Sequence, residues 1–454
     1  METYDVLFKN GLIVCEDEVI KADLAVSDGK IVQLTPCLSK LSAKKYFDIS
    51  NLYIFPGLID THVHLNEPGR TEWEGILTGS KSLAAGGVTT YFDMPLNSNP
   101  PTINERSFLK KNRLSKKKSL INFKLWGGLV PGNVKYLARL KECGVVGFKA
   151  FMSESGIKDF QAVDDYTLRV GMEQIAKLDM VLALHAESDH INLPLTEKIK
   201  AEGRFSGKDF QESRPVASEL EAVQKVIDLA KLTGCKIHIV HASSSRVVEM
   251  IQQAKQDGIN ITVETCPHYL SLTVDDLTKL GPIAKCAPPL REENEVELLW
   301  TMLKAGCIDV IGSDHSPAPI AMKQGNLFEA WGGISGAQTM INVLLEEGYW
   351  KRNISLAVIG RLASTNPAKI FGLYPRKGSL KIGSDADFTI IDIQKSFILE
   401  KKDLYYRHPH SPYLGKKFRG QILATFVAGH CVYLNESCDI FGKEEGFCEQ
   451  NKHN

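Results

Sequence analysis

Short apolar runs alternate with longer amphipathic stretches through the middle of the chain, a rhythm that predicts βα units around a parallel sheet. Eight strands are expected: GLIDTHVH at 57–64, VTTYFDM at 88–94, INFKLWG at 121–127, VVGFKAF at 145–151, MVLALH at 180–185, KIHIVHA at 236–242, NITVETC at 260–266 and IDVIGSD at 308–314. Stretches with helical spacing of apolar positions, such as SELEAVQKVIDLAKLTG at 218–234, supply the helices between them. Eight such units favour an α/β fold, a closed (β/α)8 TIM barrel. An open doubly wound sheet is the competitor, but no G-x-G-x-x-G turn or Walker lysine motif is present. No repeat of solenoid period is visible.

The two ends follow a different period. YDVLFKNGLIV, DLAVSDGKIVQL and KYFDISNLYIF read as short strands, and the N-G and D-G pairs are hairpin signals. The same pattern returns in GSDADFTIIDI and QILATFVAGHCVYL. A small β-sandwich assembled from residues 1–54 and 373–440 is therefore expected around a barrel at 55–372, with a polar, disordered tail at 441–454.

Composition narrows the function classes. With 454 residues, 43% hydrophobic and 24% charged, the chain has the make-up of a soluble globular protein. Its formal net charge of +0 favours neither nucleic acid nor an anionic membrane. The run KKNRLSKKK at 110–118 has no interleaved aromatics and reads as a solvated helix or loop end. No stretch approaches the roughly 20 apolar residues of a bilayer span, and the opening residues do not read as a signal peptide. Ten cysteines without a C-x-x-C pair suggest reduced thiols and a cytoplasmic location.

Chemistry concentrates at the ends of the expected strands. His62 and His64 in IDTHVHLNEPG are two residues apart, so both side chains share one strand face. At the carboxyl end of a barrel strand that face opens onto the catalytic mouth. Lys149 lies near the end of strand four, and His185, His241 and Asp314 close strands five, six and eight at the same height. Imidazole and carboxylate together suit zinc, cobalt or manganese. His238, three residues before His241, is expected to face the helical layer as a satisfied core histidine, and His315 to turn away from Asp314. His190, His268, His408, His410, His430 and His453 have no comparable placement.

Lys149 has two readings. Alone, a lysine in GVVGFKAF snorkels to the mouth or pairs with a carboxylate. Among metal ligands, a buried amine of depressed pKa can add carbon dioxide and become an anionic carbamate that bridges two metals.

This pattern resembles the cyclic amidohydrolase branch of the amidohydrolase superfamily, the branch of dihydroorotases, hydantoinases, dihydropyrimidinases and allantoinases. The likeness spans nearly the whole chain. It implies a binuclear centre held by His62, His64, carboxylated Lys149 (N6-carboxylysine), His185, His241 and Asp314, and a homotetrameric assembly. Within the branch, EPGRTEWEG at 67–75, DMPLNSNPPT at 93–102 and WGGISGAQ at 331–338 are most similar to the allantoinases. Three departures from the neighbours agree. Asn66 stands where dihydroorotases carry a carboxylate-binding arginine, Glu154 where hydantoinases carry a tyrosine, and Ala287 where they carry a serine.

The resemblance implies hydrolysis of a hydantoin-ring amide, with Asp314 moving a proton from water to the departing nitrogen. Asn97 and Ser316, with the backbone around Ala287 and from Gly332 and Gly333 to Ile334, are the expected contacts to a neutral, small-molecule ureide. Another cyclic amidase, of hydantoinase or dihydropyrimidinase type, is the nearer alternative. A noncatalytic scaffold of the same fold is the remoter one, because all six ligand positions are filled.

Overall fold

In the computed structural model, which describes residues 3–38, 42–438 and 440, the apolar runs of the middle form parallel strands. The expected tail at 441–454 lies outside the described residues. The barrel strands, numbered one to eight in chain order, are Leu58–Val63, Val88–Asp93, Asn122–Leu125, Phe148–Phe151, Val181–His185, Lys236–Ile239, Ile261–Thr265 and Val310–Ile311. Strands one and two are buried at every position, as expected of a parallel sheet covered by helices.

Strand three continues past Trp126 through Gly127–Gly128, which pairs with Phe148 and Lys149 of strand four. Strand eight meets strand one through a parallel bridge between His315 and Val63, and the His64 N–H donates to the His315 carbonyl at 2.8 Å. These junctions close the barrel. The helix expected around 218–234 is Val216–Thr233, stopped by Gly234 in the left-handed conformation that glycine adopts without a Cβ clash.

Two strands end sooner than their apolar pattern suggests. Strand six stops at Ile239 and strand eight at Ile311, because His241 and Asp314 take left-handed backbone angles, φ 42° and 46°. Strand alternation therefore does not carry through to either residue, which corrects the reading of His238. Its neighbours Ile237 and Ile239 pack against the helical layer, so His238 itself points into the barrel. There its Nδ1 is 2.7 Å from Thr262 Oγ1 and its ring meets Phe371. It is a core histidine, but of the inner core.

Both ends of the chain contribute to one eight-stranded sheet. Tyr53–Pro56 pairs in parallel with Thr3–Val14 and antiparallel with Phe388–Ile398, which continues into Lys417–Val427 and His430–Leu434. Asp28 and Gly29 make the expected hairpin between Val19–Ser27 and Lys30–Thr35. Asn10-Gly11 does not. It sits in a bulge inside the continuous strand Thr3–Val14, where the Asp23 carboxylate accepts from the Asn10 N–H at 2.7 Å. A Cβ on Gly11 would lie 2.6 Å from Ile49 Cδ1, so the glycine is there for close approach, not for a turn.

The basic run at 110–118 is likewise more than a solvated end. It lies on helix Glu105–Lys118, where buried Lys111 donates to the Met94 carbonyl at 2.7 Å and pairs with Asp93 at 3.0 Å. Lys118 pairs with Glu67. The helix is thereby clamped onto the loops after strands one and two. No helix among the described residues is long and apolar enough to cross a membrane.

Phe8 meets Phe388 and Phe426 edge-on at 5.2 and 5.3 Å, although Phe426 lies three strands away. The sheet is therefore rolled around this ring. Phe8→Ala should cost about 3–5 kcal/mol, read as a lowered midpoint in denaturant unfolding.

Candidate active site

Glu264, an acid inside the apolar run of strand seven, organises the floor of the barrel. Its carboxylate accepts from Thr61 Oγ1 at 2.5 Å and faces His62 Nδ1 at 2.8 Å. Burial would raise its pKa, but His62 and His238 outweigh that and hold it well below the usual carboxylate range. An ionised Glu264 fixes the His62 proton on Nδ1 and leaves Nε2 with a free lone pair. That Nε2 lies 3.2 Å from Asp314 Oδ1, and His64 Nε2 lies 3.4 Å from the same oxygen. One ligand atom from each of His62, His64 and Asp314 falls within 4.8 Å of the others, a grouping that suits a metal ion.

A second carboxylate acts alike on the opposite wall. Glu187 Oε2 lies 2.7 Å from His185 Nε2 and accepts from Arg214 at 2.7 Å. Burial alone would raise Glu187; the Arg214 guanidinium and the His185 ring outweigh it and hold it at about 2. With its proton on Nε2, His185 points its free Nδ1 at His241 Nε2, 3.0 Å away. Burial pushes the pKa of His64 down to about 4 and that of His241 well below its ordinary value. These imidazoles are neutral and offer lone pairs. Burial would raise Asp314 too, but His62 and His64 hold it at about 2, so it is an anion.

Lys149 sits among these groups, fully buried, with no hydrogen-bond partner on Nζ and its amine 5.1 Å from the centroid of the Phe151 ring. Burial lowers its pKa to about 7, against the pull of Asp314 and Glu264. It neither snorkels nor pairs. An unpartnered buried amine is costly, and the site accordingly has room in its chemistry for a modified, anionic side chain.

Above this floor opens a cleft of about 360 Å³ lined by His64, His185, His241 and Asp314. Asn97, Ala287, Ser316, Gly332 and Gly333 all stand on its walls, as does Glu154; His62 and Lys149 lie beneath it. Asn66 is turned inward, donating to the Pro317 carbonyl at 3.2 Å from a left-handed backbone. His315 faces away from the cleft, towards Glu74 and Tyr406.

The strap at 330–333 is fixed by two lysines: Lys285 donates to the Ala330 carbonyl at 2.6 Å, and Lys323 to those of Trp331 at 3.0 Å and Gly333 at 2.5 Å. A Cβ on Gly333 would lie 2.3 Å from the Ser316 carbonyl oxygen, so only glycine fits against that wall.

Sequence reasoning missed Glu187, Glu264 and Arg214. Glu187 follows His185 by two residues, the same spacing that flagged His62 and His64. Glu264 shows the same signal as Lys149, a charge inside an apolar run. Arg214 comes from an irregular segment and carries no signal in the sequence.

Residues 53–432 match the amidohydrolase family. The chain is 48% identical to an allantoinase of Deinococcus radiodurans, over 95% of this chain and 96% of that one. It is 46% identical to an allantoinase of Solibacter usitatus, over 95% and 94%. Among solved structures it is similar to the L-hydantoinase (dihydropyrimidinase) of Arthrobacter aurescens, with a TM-score of 0.93 and 34% identity over 95% and 96% of the two chains.

Glu264 accepts from His62 and Thr61 on separate oxygens, which a carboxamide, with one acceptor oxygen, cannot reproduce. Glu264→Gln should therefore weaken divalent-metal affinity by about 10–100-fold, measured by metal titration of the apoprotein.

Proposed function

We propose that this chain, which belongs to the amidohydrolase family and within it to the allantoinases, hydrolyses the hydantoin-ring amide of allantoin to allantoate, a step of purine and ureide breakdown. The observation that carries the reading is the convergence of Asp314 with His62 and His64 on the floor of a cleft sized for one small ring.

The proposed metal ligands are His62, His64, Lys149, His185, His241 and Asp314, holding two divalent ions, zinc before cobalt or manganese. The donor set fits such a pair. Four imidazoles have a nitrogen free of a competing proton, Asp314 is ionised, and Lys149 is buried without a partner. The neutral Lys149 amine adds to the carbon of carbon dioxide and releases one proton, giving an anionic carbamate with two oxygens. When bound, the metals lower the pKa of water towards about 7 and polarise the ring carbonyl.

Asp314 takes the proton of the attacking water and delivers it to the ring nitrogen as the C–N bond breaks. The water oxygen stays on the carbonyl carbon and becomes part of the new carboxylate. Asn97, Ser316 and the backbone at Ala287, Gly332 and Gly333 hold the neutral ring beside Asp314. Glu264 and Glu187 keep the histidines in the tautomers that binding requires.

The proposal includes a barrel at residues 55–372, a β-sandwich from 1–54 and 373–440, a homotetramer, and a cytoplasmic location. Cys15, Cys37, Cys143, Cys235, Cys266, Cys286 and Cys307 are free thiols, which supports a reducing compartment. A hydantoinase-type activity is the second reading, favoured by the likeness to the Arthrobacter aurescens structure. Glu154 and Ala287 speak against it.

Turnover compared on allantoin, hydantoin, dihydrouracil and dihydroorotate should be dominated by allantoin; dominance of another ring refutes the substrate assignment. Asp314→Asn should lower kcat by about 10²–10⁴-fold with metal still bound, read by steady-state kinetics beside metal analysis. Near-normal turnover would remove Asp314 from the proton-transfer role.

A further inference from the structure

Allantoin differs from an unsubstituted hydantoin by its ureido tail, and the floor of the site has nothing to say about that tail. Two charged groups higher on the cleft wall do. Arg214 uses one N–H on Glu187 and keeps its other donors without a partner among the described residues, while its side chain retains 19% exposure. The Glu154 carboxylate stands on the same wall, exposed at the mouth and likewise without a partner among the described residues. Both line the same cleft, and the Asp189 carboxylate accepts from the Glu154 N–H at 2.8 Å.

A urea presents a carbonyl acceptor beside N–H donors. Arg214 supplies only donors and Glu154 only acceptors, so together they complement both halves of that group. Their anchoring is unequal. Arg214 is pinned by Glu187, which also holds His185, so its guanidinium has a fixed relation to the metal-binding floor. Glu154 has its backbone held by Asp189 and its side chain free to close on a ligand.

We propose that Arg214 and Glu154 form a subsite for the ureido tail, with Arg214 donating to the urea oxygen and Glu154 accepting from its N–H groups. This rests on the proposed allantoin reaction and names the residues that distinguish allantoin from tail-less rings. It also gives Glu154, where hydantoinases carry a tyrosine, a task beyond its departure from them.

The test uses Glu154→Ala and Arg214→Lys. The lysine keeps a cation beside Glu187 but loses the planar fork. With the metal-loaded enzyme, each variant should lose on the order of 10–100-fold in kcat/KM for allantoin, while the inhibition constant of hydantoin moves far less. Glu154→Gln, which keeps an acceptor oxygen, should recover part of the loss. Equal losses for both rings, a selective loss in only one variant, or unchanged allantoin turnover overturns the subsite. If the wild-type chain does not open allantoin, the reaction assignment fails. The subsite is then read from calorimetric affinities of allantoin and hydantoin for the wild type and both variants, with the same selective weakening required.

Discussion

The buried carboxylate of Glu264 is the interaction on which the rest of the site depends. It lies where side chains of strands one, six and seven converge, bonded to Thr61 and His62 and facing His238 at 3.6 Å. Strand eight makes way for it. A Cβ on Gly312 would fall 2.6 Å from the carboxyl carbon of Glu264, so the backbone there must be glycine. A buried anion is tolerable only when hydrogen bonds and opposite charge surround it, and Glu264 has the first from its neighbours. The His62 and His238 rings supply the second and hold the carboxyl well below the usual carboxylate range.

The same logic repeats through Glu187 and His185, so a second buried carboxylate beneath the cleft orients a second ring. Burial keeps His64 and His241 neutral, and neutrality is what makes a ring nitrogen a ligand instead of a cation. The left-handed backbone at His241 and Asp314 belongs to this economy. Non-glycine residues adopt that conformation at a cost of order 1–3 kcal/mol and keep it where surrounding structure enforces it. At both positions it breaks strand alternation just where a side chain must turn towards the centre.

The barrel was legible because its evidence is periodic. Eight apolar runs with amphipathic spacers survive any local irregularity, and the four histidines and Asp314 stood at their ends. What was illegible depended on a single dihedral or a distant partner. Alternation counted back from His241 put His238 on the wrong face, because the count assumed a strand that had already ended. Asn10-Gly11 carries the composition of a hairpin turn, yet Ile49 and Asp23, far along the chain, make it a bulge. Lys111 and Lys118 read as solvent-facing because Asp93 and Glu67 reach them only through the fold. Arg214 belongs to the same class: its importance comes from Glu187 and from the cleft, neither of which its own segment announces.

These differences separate two layers of the site. The floor is set by buried strand residues, among which the His62 and His185 rings are oriented by Glu264 and Glu187, so a change there disturbs those orientations. The walls are loops, held by backbone bonds and by the ammonium groups of Lys285 and Lys323, and several of their polar side chains remain uncommitted. Burial lowers Lys285 to about 8 and Lys323 to about 7, and both spend their protons on strap carbonyls. A strap fixed from behind holds Gly332 and Gly333 at constant height on the cleft wall, while the groups that face the mouth stay adjustable. A rigid floor with adjustable walls lets one chemistry serve several rings across a family, and it places the choice among them in residues such as Glu154 and Arg214.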